Sequence, residues 1–149
     1  KQLEAKGVSR IKAEKIIDDH LYEKDIEKYY IKNLNLINSS LRVLKRPHYG
    51  NQFPTTVGPI DLLCFDRETK QYVVIEFKRG SGSDEVIGQT LRYMGWVYTN
   101  LVKENNAVRG IIVSRNLTNK LEHALIGHQS DLISHFQHKF DDDNRPPKV

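Results

Sequence analysis

Gly58-Pro-Ile-Asp-Leu-Leu-Cys-Phe-Asp66 and Tyr72-Val-Val-Ile-Glu-Phe-Lys78 are two apolar runs joined by the polar connection Asp66-Arg-Glu-Thr-Lys70. Apolar runs separated in this way predict a hairpin of two strands, Ile60 to Phe65 and Gln71 to Phe77. A strand that is apolar on both faces belongs inside a sheet, where ionised groups are rare unless something compensates them. Yet Asp61, Glu76 and Lys78 stand within these runs. Side chains alternate along a strand, so Glu76 and Lys78 share one side, and the hairpin can set Asp61 beside Glu76. Two carboxylates and the carbonyl of Phe77 would offer the hard oxygen donors that magnesium or manganese takes. Such an ion would acidify a water for attack on a phosphodiester. Lys78 would orient or deprotonate that water, or stabilise the developing charge. Taken singly, each residue is better explained by an Asp61–Lys78 ion pair with Glu76 solvated. The three together favour a metal-dependent hydrolytic site.

Outward from the hairpin, the elements alternate. Residues 3–18 read as a short polar helix with a thin apolar stripe, and 1–19 as a helix or linker. From Tyr22, the residues Ile26, Tyr29, Tyr30, Leu34 and Ile37 recur at helical spacing, until Asn38-Ser-Ser ends the run. Leu41 to Lys45 is a candidate strand, and His48 to Gly58, with its Pro and Gly residues, reads as a loop. After Phe77 comes a Gly/Ser loop in which Ser83 or Asp84 is the candidate helix cap. A long helix is expected to about Glu104, a strand over 108–114, a helix over 117–125 and a last strand over 131–136. The tail from Asp141 to Val149 is charged and Pro-rich and reads as disordered. This order predicts a three-layer α/β fold, a central mixed sheet flanked by helices, with the working domain at 20–140.

A chain of 149 residues suits one domain. The formal charge of +4 leans towards a polyanionic partner without proving one. The single Cys64 excludes a disulfide framework and a cysteine zinc site, and a reducing cytoplasm is the simplest compartment. No apolar run approaches the ~20 residues that cross a bilayer, so no membrane partner is expected. The start at Lys1 rather than Met is what a fragment of a longer protein would show.

Further residues join the triad. Gln89 and Tyr93, four apart, share a face of the following helix, where the amide can reach Lys78 or a phosphate and the ring can close over the site. Glu23 and Glu27, also four apart, offer one more carboxylate from the upstream helix. Taken singly, either is better explained as part of a solvated face with Lys24 and Lys28.

Together, Gly58-Pro-Ile-Asp61, Glu76-Phe-Lys78 and Gln89-x-x-x-Tyr93 resemble the PD-(D/E)XK nuclease superfamily, in its subgroup with the Gln-x-x-x-Tyr element. More narrowly, the stretches 23–34, 60–63, 74–78 and 87–96 resemble the C-terminal nuclease domain of NucS/EndoMS-type endonucleases. The likeness covers roughly residues 20 to 127. It implies a restriction-endonuclease-like sheet core and divalent-metal cleavage of DNA in repair, restriction or defence. Carried over by position, Asp61 and Glu76 would bind metal, Lys78 would be catalytic, and Gln89 and Tyr93 would support the site. The upstream acid falls on Glu23 or Glu27. Pro59 stands one position earlier than the family's usual Pro, since Ile60 directly precedes the Asp. No counterpart of the N-terminal DNA-binding and dimerisation domain of the two-domain enzymes is expected in these residues.

For phosphate contact the candidates are Arg42, Lys45, Arg46, His48, Arg79 and Arg92, with Tyr49 and Phe53 in the loop as aromatic candidates for the bases. The expected partner is DNA, double-stranded by preference, and a homodimer would serve cleavage of both strands. The rivals are a non-catalytic nucleic-acid-binding module with the same fold, a nuclease of RNA or single strands, and a structural domain.

Overall fold

The computed structural model describes residues 23–80, 84–129, 131–141, 143 and 145–147. The helix or linker expected over 1–19 lies outside the described residues. The first described element is α1, helical over 23–32. Strands β1 (Leu41–Val43), β2 (Asn51–Phe53), β3 (Ile60–Asp66) and β4 (Gln71–Phe77) follow. Then come α2 (Glu85–Asn100), β5 (Ala107–Ser114), α3 (Asn119–His128) and β6 (Ile133–Gln137).

The six strands form one mixed sheet in the order β1-β3-β4-β5-β6, with β2 also on β3. One half is antiparallel: β1 pairs the far end of β3, β2 pairs its near end, and β3 pairs β4. The other half is parallel, with α2 and α3 as the crossovers from β4 to β5 and from β5 to β6. This is the three-layer α/β arrangement read from the sequence. Alternation along β4 separates two cores. Val73, Ile75 and Phe77 pack with Ile26, Tyr30 and Leu34 of the first helical layer. Val74 packs with Val86, Met94 and Val97 of α2 and Leu121 of α3. Each such buried aliphatic side chain contributes about 1.5–3 kcal/mol of transfer free energy.

Four local expectations are revised. The helical run from Tyr22 does not reach Ile37: the Asn33 side chain donates to Tyr29 O at 2.9 Å, and only a 3-10 turn, Leu34–Leu36, continues. Asn competes for backbone partners in this way, which is why it disfavours helix interiors. Asp84 does precede α2, but its side chain makes no capping bond. That helix also stops at Asn100, short of Glu104, where Asn105 turns left-handed at φ 72°. The expected loop from His48 to Gly58 contains β2. Gly50 explains how: its N–H reaches Leu44 O at 2.7 Å and its carbonyl accepts from Leu63 N at 2.8 Å. A Cβ there would sit 2.0 Å from Leu63 O, so only glycine lets the chain run from β1 to β2 along one edge of β3.

The far end of the hairpin is fastened by Asp66, a buried carboxylate. It accepts from Ser40 Oγ at 2.7 Å, from the N–H groups of Glu68 and Thr69 at 2.9 and 3.1 Å, and from Arg109 Nη1 at 2.8 Å. Burial disfavours its charge, but these donors outweigh that and hold it well below the usual carboxylate range. A depressed carboxyl stabilises the fold above its unfolded value near pH 4, and that contribution is lost as the pH falls. Asp66→Asn is therefore expected to cost about 3 kcal/mol at pH 7, read as a lower melting temperature, with the gap to wild type closing towards pH 2. A gap that stays constant with pH would refute this account.

Candidate active site

The ladder between β3 and β4 runs from Asp66↔Gln71 to Leu62↔Ile75. Continuing that register places Asp61 opposite Glu76. There the side chains replace the ladder: the Asp61 N–H donates to Glu76 Oε2 at 3.2 Å, and the Phe77 N–H donates to Asp61 Oδ2 at 2.9 Å. Two carboxylates are thus locked face to face at the end of two buried strands. Glu76 is almost wholly buried and Asp61 half-buried.

A third carboxylate arrives from α1. Glu27, also buried, accepts through Oε1 from Asn51 Nδ2 and from Gln52 Nε2, both at 3.0 Å. The same Asn51 nitrogen lies 3.0 Å from Asp61 O, and that of Gln52 lies 3.5 Å from Asp61 Oδ1. Glu23 takes another direction, accepting from Arg79 N at 3.4 Å. Of the two upstream acids, Glu27 is the one brought against Asp61. Asn51 and Gln52 were not singled out in the sequence. Polar residues in a Gly/Pro-rich stretch look like loop, and only β2 carries them to the site.

Electrostatics reflects the crowding. Burial first, and repulsion from Asp61 second, push Glu27 up to about 7 despite the two amide bonds. The same two causes push Glu76 up to about 9, partly offset by the Asp61 N–H and by Lys78. Asp61 is also raised by burial, against the pull of the Phe77 N–H and of Lys78. Lys78 is half-buried, and its N–H is fixed to Val113 O at 2.8 Å, so the strand continues through it alongside β5. Beyond it, His138 Nε2 lies 3.0 Å from Arg79 O, and Arg115 N donates to Gly80 O at 3.0 Å.

On α2, Tyr93 is buried and Gln89 half-buried. Gly58 stands at φ +114°, and a Cβ there would lie 3.0 Å from the Tyr93 hydroxyl. Tyr93 therefore packs on the backbone entering β3, three residues before Asp61. The Gln89 side chain makes no hydrogen bond among the described residues. Cys64 is buried and free, and burial pushes its thiol up to about 12, which removes it as a nucleophile.

The candidate phosphate contacts scatter more widely. Arg42, Lys45, Arg46, His48 and Arg92 are exposed and Arg79 is half-buried. Arg42 pairs with Phe65, towards the opposite end of β3 from Asp61, and folds back on Ser39 O and Leu41 O at 3.1 and 2.8 Å. The Arg92 guanidinium lies 5.3 Å from the centre of the Tyr93 ring. Tyr49 is open to solvent, whereas Phe53 is fully buried between His48 and Trp96 and is withdrawn from any stacking role. Trp96 itself donates to Thr56 Oγ1 at 2.9 Å.

The sequence model of the endonuclease NucS C-terminal domain matches residues 22–132, which contain every carboxylate of the site. The chain belongs to the NucS C-terminal domain family. Endonuclease NucS of Sulfolobus acidocaldarius is 31% identical over 96 residues, 64% of this chain and 34% of that protein. An uncharacterised protein of Haemophilus influenzae is 29% identical over 97 residues, 63% of this chain and 30% of its own length. The chain thus spans about a third of the curated relatives it matches. Among solved structures, a repair endonuclease from Pyrococcus abyssi superposes with a TM-score of 0.64 at 20% identity, over 78% of this chain and 46% of that one. An EndoMS–double-stranded DNA complex gives 0.62 at 20% identity, over 85% and 46%. At that identity the likeness is one of fold.

The donors here are of the kind a hard divalent cation takes: three carboxylates within electrostatic reach of one another, two of them raised first by burial and then by repulsion from Asp61. No hydrogen bond among the described residues uses Glu27 Oε2, which leaves it an oxygen to give. Among the described residues, no three acidic or histidine side chains are closed around a single point. The fit therefore rests on donor chemistry rather than on a finished coordination sphere.

A carboxyl raised above its unfolded value favours folding fully below that value, here about 4.5, and the benefit is lost as pH climbs towards about 9. Glu76→Gln keeps the shape without the charge. In EDTA at pH 8 it is expected to melt higher than wild type by at least about 1 kcal/mol, or about 3 °C, and to show no further stabilisation by manganese. A variant that melts lower at pH 8, or keeps the manganese response, would overturn this reading.

Proposed function

We propose that this domain is a magnesium- or manganese-dependent DNA endonuclease. The observation that carries the reading is the locked Asp61–Glu76 pair at the end of two buried strands, with Glu27 held against it. Buried carboxylates that crowd one another lose free energy unless a cation compensates them. Asp61, Glu76, Glu27 and the Phe77 carbonyl would hold the ion, and Glu23, turned towards Arg79, is outside that set.

A bound magnesium or manganese ion supplies Lewis acidity towards a phosphoryl oxygen and lowers the pKa of water. The chain does the rest. Lys78, next after the strand that carries Glu76, orients the attacking water and stabilises negative charge developing on phosphorus. Tyr93 holds the entry of β3, and so the reach of Asp61, through its contact with Gly58. Gln89, one helical turn before Tyr93, is placed to bond Lys78 or a phosphate oxygen. The exposed Lys45, Arg46, His48 and Arg92, with Arg79, supply phosphate contacts, which give affinity and salt dependence without reading bases. Arg42, near the opposite end of β3, would meet only a duplex that extends well past the cut.

Double-stranded DNA is the substrate favoured by the likeness to a protein solved with it. DNA repair is the setting favoured over restriction or defence, since one structural neighbour is a repair endonuclease. Cleavage of both strands would take two copies of the chain. A single, buried Cys64 suits a reducing cytoplasm. Among the described residues, no helix is long and apolar enough to cross a membrane.

The test is cleavage of plasmid, mismatched duplex, single strands and RNA in magnesium, manganese or EDTA. Wild type is expected to cut duplex DNA only with the ion. Asp61→Ala and Lys78→Ala are each expected to lose at least about a hundredfold in rate. Equal, metal-independent activity in all three proteins would end the proposal, and cleavage of RNA alone would replace its substrate.

A further inference from the structure

We propose that Gln52, together with Asn51, is a neutral amide clamp that holds Glu27 against Asp61. The inference rests on the nuclease reading of the site and adds two positioning residues to it.

The geometry of β2 is the starting point. Neighbouring residues on a regular strand point to opposite faces. Asn51 and Gln52 are neighbours, paired regularly on β3 through Asn51↔Leu62 and Phe53↔Ile60, yet both amides land on the same oxygen of Glu27. The backbone resolves the conflict. Gln52 is left-handed, at φ 52°, and that rotation brings its side chain round to the side of Asn51. The other described non-glycine residues with positive φ are Lys70, Asn105 and Gln129, all in turns or at a helix end. Gln52 alone among them is left-handed inside a strand. A side chain with a Cβ resists this conformation, and such residues persist where the surroundings over-determine them, often at functional sites. The Gln52 side chain is also exposed, so burial in the core does not explain its placement.

The chemistry of the clamp follows from hydrogen-bond roles. Glu27 Oε1, Asp61 Oδ1 and Asp61 O accept, so the NH2 ends of both amides face them. One nitrogen of each residue spans from the acid on α1 to the acid on β3. Two carboxylates brought together by lysine or arginine would be neutralised, and their pull on a cation would fall. Neutral amides fix the same spacing and leave the negative potential in place. Outer partners of this kind orient ligands, and losing one weakens metal binding by ~10–100-fold.

Gln52→Gly separates the site from the fold, because glycine accepts φ 52° and removes only an exposed side chain with its amide. In EDTA the variant is expected to melt at the wild-type temperature or above. The manganese concentration giving half-maximal thermal stabilisation, and the magnesium concentration giving half-maximal cleavage, are each expected to rise about tenfold. In a Glu27→Gln background the same substitution should change neither value, since its route runs through Glu27. A half-point within twofold of wild type, an equal loss in the Glu27→Gln background, or a lower melting temperature in EDTA would each overturn the clamp. A wild-type protein with neither manganese response nor cleavage would remove the nuclease reading, and this inference with it.

Discussion

The paired bonds at the end of the β3–β4 ladder, Asp61 N–H to Glu76 Oε2 and Phe77 N–H to Asp61 Oδ2, are the constraint on which the site depends. A regular antiparallel ladder would pair backbone with backbone here and leave both carboxylates to find partners elsewhere. Each acid instead takes a backbone donor, which satisfies part of a buried charge and fixes the carboxylate to within a hydrogen bond. The remaining parts are arranged around that lock. The second ladder, to β5, carries the chain straight on into Lys78. Tyr93 fixes the approach to β3 at Gly58, and β2 brings in the amides that hold Glu27.

The two ends of the hairpin make an instructive contrast. Both carry buried carboxylates, on the same pair of strands. Asp66 has three neutral donors and the Arg109 guanidinium, and its charge is welcome. Asp61 and Glu76 have mostly each other, with Glu27 nearby; burial raises both, and repulsion from Asp61 raises Glu76 further. The first arrangement stabilises the fold. The second withholds stability from the fold at neutral pH. Composition would not distinguish the two, since both are an aspartate at one end of an apolar strand.

Much of this was legible beforehand because periodicity is a local property. The hairpin, the long α2 helix and the β5 strand each announce themselves by a run of apolar residues at the right spacing. The triad was legible for a related reason: charge inside an apolar strand is conspicuous wherever the strand goes. What escaped was set by contacts across the chain. β2 is three residues long and holds Asn and Gln, so nothing in its own pattern marks a strand; its pairing depends on Gly50 fitting under Leu63 O. Phe53 reads as an aromatic in a loop and proves to be core, because β2 turns it inward between His48 and Trp96.

The sequence by itself determined the layered α/β fold, the identity of Asp61, Glu76 and Lys78 as the conspicuous charges, and the family likeness that the match over residues 22–132 bears out. Apolar periodicity dictates which segments can be buried, and burial makes a charge expensive wherever it falls. Only the tertiary structure set Glu27, rather than Glu23, against Asp61, withdrew Phe53 from the surface, and brought Asn51 and Gln52 to the carboxylates. Those outcomes depend on how α1 and β2 meet beside β3. A helix face offers residues four apart almost equivalently, and it is the packing of Ile26 and Tyr30 into the core that sets Glu27 against Asp61.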